Sequence, residues 1–128
     1  MVKRADVTLE WANGEYLFAL KGREIEALEA ECINPSTNGV GIGLGAIWAR
    51  VMGGTWYRSD IRNIIRLGLM GGGMGPIEAN RMCKTYVDDV PISSQMPNFQ
   101  NPNCPLLVAQ VILSAAVIGV EGEESSGE

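Results

Sequence analysis

Histidine is absent from the 128 residues. The commonest general base near neutral pH is therefore missing, and no Ser-His or Cys-His pairing can be built. Cysteine is sparse: Cys32, Cys83 and Cys104 are odd in number and far apart. Without a CxxC or similar pair they support neither a zinc site nor a disulfide framework, and they are expected to be reduced and buried. A basic excess is lacking too. Ten Lys and Arg stand against fifteen Asp and Glu, for a net charge of −5. Glu121, Glu123, Glu124 and Glu128 carry four of those acidic charges, so residues 1–120 are close to neutral. A near-neutral body argues against nucleic-acid binding, which needs Lys and Arg to neutralise phosphates. The longest apolar run, Pro105 to Val120, is interrupted by Gln110 and Ser114. It falls short of the ~20 residues of a membrane span. Met1-Val2-Lys3-Arg4 leads into acidic and polar residues, not into the apolar core of a signal peptide. A soluble intracellular protein is the expectation.

What is present suffices for one domain. At 46% hydrophobic residues, the chain can bury an ordinary core. The expected organisation is a single globular domain over 1–120 and a disordered acidic tail over 121–128. Val7, Leu9 and Trp11 alternate with polar residues; Tyr16, Phe18 and Leu20 do so less cleanly; Asn13-Gly14 lies between. That combination predicts a β-hairpin turning at Asn13-Gly14. A lone hairpin is marginal in water and must pack on something. Arg23–Cys32 reads as a short acidic helix, with Ile25, Leu28 and Cys32 on one face. Gly39–Gly45 alternates glycine with apolar residues. As a phosphate loop it lacks both a preceding buried strand and a Gly-Lys-Ser/Thr ending; it reads better as the entry to a helix burying Ile47, Trp48 and Val51.

The most informative stretch is Gly53–Gly75. Ile61, Ile64, Ile65, Gly68 and Leu69 share one helical face. Ser59 or Asp60 can cap the first turn. Gly71, Gly72 and Gly73 are expected to end the helix, with at least one of Gly71 and Gly72 at positive φ. Arg58, Arg62 and Arg66 form a ridge at four-residue spacing on the polar side. It reads either as a solvated face or as a dock for an acidic segment. Pro76 suits the start of another helix, with Ala79, Met82, Cys83 and Tyr86 on one face. Asp88-Asp89 gives little support to a metal site. Pro91–Pro105 reads as an irregular loop. Pro105–Val120 reads as a last helix, apolar almost all round, that is either a core helix or half of an oligomer interface. The fold class is thus mainly α (α+β): about five short helices with an N-terminal β-hairpin.

The order Trp56, Asp60-Ile61, Ile64-Ile65-Arg66, Leu69 and Gly71-Gly72-Gly73 resembles a family of small tail proteins of gene transfer agents and related siphophages. Ile42–Ala46 before Trp48, Glu78-Ala79, and the apolar Leu113–Gly119 segment extend the resemblance from about Leu17 to Gly119. The longer Pro/Asn-rich stretch before the last helix departs from the family. The resemblance implies a tail tube or tail assembly protein that acts by protein–protein binding. The expectation is an assembly chaperone for tape measure or tail tube proteins, working in the host cytoplasm. The alternatives are a structural subunit retained in the virion tail and, with less support, a small enzyme or regulator. No catalytic residue, cofactor or metal ligand is nominated. The expected partner-binding residues are Arg58, Arg62, Arg66, Val111 and Ile112, with homo-oligomerisation possible and neither nucleic acid nor membrane as partner.

Overall fold

The computed structural model describes residues 3–91 and 104–121. Elements run in the order β1 (Lys3–Arg4), β2 (Asp6–Trp11), β3 (Gly14–Ala19), α1 (Gly22–Glu31), β4 (Ile33–Asn34), β5 (Gly39–Val40), α2 (Leu44–Gly53), α3 (Arg58–Gly71) and α4 (Pro76–Cys83). A π turn, Lys84–Asp88, continues α4; α5 (Pro105–Val117) and β6 (Val120–Glu121) follow. Among the described residues, five helices and an N-terminal antiparallel hairpin make the class α+β, as the sequence predicts. Most of the Pro91–Pro105 loop, and the acidic tail beyond Glu121, lie outside the described residues. Among the described residues, no helix is long and apolar enough to cross a membrane.

The hairpin forms one residue earlier than its Asn-Gly signal suggests. Trp11 pairs with Gly14, so Ala12 and Asn13 make the turn and Gly14 opens β3. Ala12 carries the positive φ, at 57°. The register brings Val7, Leu9 and Trp11 onto the same face as Tyr16 and Phe18. That face packs inward. Trp11 meets Tyr16, Phe18 and Tyr86 edge-on at 5.8–6.1 Å, which ties the hairpin to the π turn. A slip of one residue would bury the polar face instead, so burial fixes this register more strongly than the turn dipeptide does. Two short ladders make up the rest of the strand structure among the described residues. β1 pairs with β6 at the two chain ends, and β4 with β5.

The core is arranged around α3. Ile61, Ile64, Ile65 and Leu69 are buried, as are Ile47 and Val51 of α2, Leu28 of α1, and Ala79 and Met82 of α4. On α5, Leu106, Val108, Ala109, Ile112 and Leu113 are buried as well. Of the two readings of that apolar helix, the core helix is the one observed; it ends at Val117. Gln110 uses its polar side to donate to the Val51 carbonyl at 3.2 Å.

Three glycines set how closely these layers approach. A Cβ on Gly68 would lie 3.2 Å from Phe18 and 3.3 Å from Ile112, so β3 and α5 both close over that position. A Cβ on Gly71 would fall 1.8 Å from the Ala19 carbonyl oxygen, and one on Gly72 1.9 Å from that of Leu17. The backbone of β3 therefore occupies the space side chains would need. This corrects the positive-φ expectation for Gly71 and Gly72. The left-handed residue is Gly73, at φ 111°. Gly73 N–H bonds to the Met70 carbonyl and Met74 N–H to that of Leu69, each at 3.0 Å, which is a Schellman ending.

The two roles separate by experiment. Gly71→Ala should cost about 3 kcal/mol or more, since backbone must move to admit the methyl group. Gly73→Ala, with open space around it, should cost only about 1–2 kcal/mol through its φ. Urea unfolding of both variants checks this; equal losses would refute the close-approach argument.

Candidate functional site

The most constructed polar site joins α2 to the start of α3. Arg50 donates through Nε to Asp60 Oδ2 at 2.8 Å and through Nη2 to Oδ1 at 2.7 Å. Its remaining terminal nitrogen, Nη1, donates to the Ile33 carbonyl at 2.7 Å. Asp60 Oδ2 also accepts from the Tyr57 N–H at 2.9 Å, so Asp60 caps α3 from inside its first turn. Ser59, the other capping candidate, leaves its hydroxyl oxygen buried without a partner among the described residues. The Tyr57 ring lies over the guanidinium, 4.8 Å from Cζ. Asp60 is fully buried and Arg50 only 8% exposed. Burial alone would lower the Arg50 pKa, but the hydrogen bonds and charge of Asp60 outweigh it and the net shift is upward. One bidentate pair thus fixes α2, α3 and β4 to one another.

This pair escapes a reading by apolar periodicity, although the signal exists. Arg50 sits three residues after Ile47, and Asp60 four before Ile64, each on an apolar helical face. Opposite charges on two such faces, ten residues apart, suit a buried pair.

Above the pair lies a shallow open groove of about 440 Å³, lined by Ile33, Pro35, Asn38, Gly39, Val40 and Tyr57. Asn34 holds the β4–β5 turn: its Nδ2 donates to the Gly41 carbonyl and its Oδ1 accepts from the Ser36 N–H. Gly39–Gly45, the candidate phosphate loop, becomes β5 and the entry to α2. The anion position at the start of α2 is taken by the chain itself, because Glu29 accepts the Leu44 N–H at 2.8 Å.

The arginine ridge is engaged within the chain. Arg58 donates to the Asp88 carbonyl at 3.2 Å. Arg62 binds Asp88 Oδ2 at 2.8 Å and Asn80 Oδ1 at 2.5 Å, reaching across to the π turn and α4. Arg66 pairs with Glu31 of α1. Asp88 and Asp89 are ion-paired in turn, Asp89 with Lys84. Val111 is half-buried, and Ile112 is buried over Gly68. The structure therefore spreads the five expected partner-binding residues between an ion-paired surface and the core. It does not gather them into one patch.

Burial pushes the thiols of Cys32 and Cys83 up to about 12. For Cys32 the nearby Asp60 carboxylate adds to this. All three cysteines are buried and free.

Residues 4–101 match the family model described as phage tail tube protein, GTA-gp10. No curated protein and no solved structure matches the chain.

Two expectations follow from the site. Asp60→Asn keeps an acceptor for the Tyr57 N–H but leaves Arg50 buried without its counterion. It should lower stability by roughly 3–5 kcal/mol, and replacing Arg50 by Met in the same chain should recover part of the loss; urea titration of the single and double variants checks both. The thiols give a pH dependence. Their folded pKa lies above the unfolded one, so the folded state retains protons that the unfolded chain releases. Their stabilising contribution is complete below about pH 8.5, the ordinary thiol value, and is lost as pH rises towards 12. Melting temperature should therefore fall through that window, and less steeply in Cys83→Ala. A Cys83→Ala slope identical to wild type would refute the assignment.

Proposed function

The chain belongs to the family described as phage tail tube protein, GTA-gp10, and on that premise we propose that it is a structural subunit of a phage or gene-transfer-agent tail, acting by binding and not by catalysis. The family match places it among phage tail proteins; the retained, structural role is the further step. The observation that carries that step is the burial of α5. An assembly chaperone for a tape measure or tube protein needs accessible apolar surface to cover a partner's apolar segments. The last helix was the expected source of that surface, yet Leu106, Val108, Ala109, Ile112 and Leu113 are all committed to the core. An ion-paired exterior suits a subunit that presents a fixed shape to its neighbours.

Purified particles test the reading. Quantitative mass spectrometry should find the chain in many copies per tail. Its absence from finished tails, together with its presence in complexes from infected-cell lysate, would overturn the structural role in favour of the chaperone.

A further inference from the structure

The β2–β3 hairpin has one closed edge and one open edge. Only Ala12 and Asn13 separate the strands, so Trp11 and Gly14 close the ladder as a hydrogen-bonded pair. Pairs of that kind alternate along the ladder with pairs that exchange no bond. Asp6, Thr8 and Glu10 on β2, and Glu15, Leu17 and Ala19 on β3, belong to the second kind. Their N–H and C=O groups point away from the other strand. On β3 that edge is closed, because the Leu17 and Ala19 carbonyl oxygens stand against Gly72 and Gly71 of α3. On β2 it is open. Among the described residues nothing bonds to the outward N–H or C=O of Thr8 or Glu10, and both residues are exposed. β2 has neither proline nor lysine, and its register is unbroken by a bulge. Acidic charge is the one common guard of a free edge that it carries.

The side chains along this edge define what fits it. Val7 and Leu9 face inward and are only half-buried, so a strand added here sets alternate residues beside them and covers apolar surface. Thr8 and Glu10 face outward, and Glu15 lies directly across from Glu10. Neither glutamate has a basic partner among the described residues. Like charges so placed destabilise a strand pair, and a cation on the neighbouring strand offsets them. A second copy of β2 is a poor occupant, because edge-to-edge pairing would gather Glu10 and Glu15 of both copies on one sheet face. We propose that the β2 edge accepts, by strand addition, an extended segment of a different tail protein in which apolar residues alternate with Lys or Arg. The inference rests on the reading that the chain acts by binding within a tail, and it names the surface and the chemistry of one contact.

Amide hydrogen exchange on the full chain tests it, with a short capped peptide of alternating lysine and valine as probe and one of alternating glutamate and valine as control. In the free protein the Thr8 and Glu10 amides should exchange quickly, while those of Val7 and Leu9, bonded to β3, stay protected. The lysine peptide in excess should bind saturably, slow exchange at Thr8 and Glu10 at least about tenfold, and loosen as salt is raised. Glu10→Lys/Glu15→Lys should exchange the preference, so that the glutamate peptide protects those amides and the lysine peptide does not. Thr8→Pro removes an outward N–H without touching the ladder. It should weaken the lysine peptide at least about tenfold, with protection at Val7 and Leu9 reporting that the hairpin survives; if that protection is lost, the charge-reversed variant decides alone. The proposal is overturned by a lysine peptide that does not saturate at millimolar concentration, by binding that leaves Thr8 and Glu10 unprotected, or by a charge-reversed variant that keeps the wild-type preference. Protection of those amides in the free chain also overturns it, since the edge would then be covered from within the chain or by a second copy. If the chain is abundant in purified tails while the peptide leaves the edge unprotected, this contact falls and the structural role stands. If the chain is absent from tails while the edge takes the peptide, the structural role falls and the contact stands.

Discussion

The structure depends on how closely the backbone of β3 can lie against the end of α3. At Gly71 and Gly72 the strand's carbonyl oxygens stand within 2 Å of where Cβ atoms would be. Any other residue there would push the hairpin outward. The consequences would spread, because Phe18 on that strand is fully buried and packs over Gly68, and Trp11 reaches the π turn through Tyr86. Gly73 then reverses the chain into Pro76, which starts α4 on the same helix's flank. Missing side chains, more than attractive contacts, determine the spacing of the hairpin, α3 and α5.

Charge does the complementary task of orienting the elements. Arg62 and Arg66 extend from α3 to opposite neighbours, α4 with its π turn on one side and α1 on the other. Such partly exposed pairs contribute only about 0–1 kcal/mol each, so they select an arrangement more than they stabilise it. Arg50–Asp60 differs because it is buried. Its worth is better judged by the cost of breaking it than by its net contribution. Four hydrogen bonds to two side chains leave α2 and the first turn of α3 one mutual position.

The fold was legible where periodicity carries it. The five helices follow from apolar spacing and from Pro76, Pro105 and Gly119, and the hairpin from alternation. What escaped has identifiable causes. The turn was read from Asn13-Gly14, but burial of Trp11 and Phe18 outranked that local preference and placed Ala12 at positive φ. The glycine cluster was read as backbone freedom, when two of its members answer a steric demand visible only once β3 is placed. The β1–β6 and β4–β5 ladders are two residues long, too short for alternation to register. The arginine ridge was visible as charge, yet its partners Glu31, Asn80 and Asp88 lie 18 to 35 residues away in sequence, so nothing local announced them. Arg50 and Asp60 were legible in principle, as charges on apolar faces, but only to a reading that treats such charges as a pair.

The burial of α5 bears most directly on mechanism. A helix apolar all round has two physically distinct uses, and sequence cannot separate them, because both need the same residues. If the helix faced solvent, the chain would carry a large apolar surface and would have to shed or cover it, which is the logic of a chaperone. Packed against α3, it instead joins the core and leaves the exterior with scattered apolar side chains such as Leu17, Val40 and Ile77, and Val117 and Ile118 at its own end. Sealed into the core, α5 leaves a partner little of its own apolar surface beyond Val117 and Ile118 at its C-terminal end. That suits a subunit presenting a fixed shape better than a protein that must cover another's apolar segments.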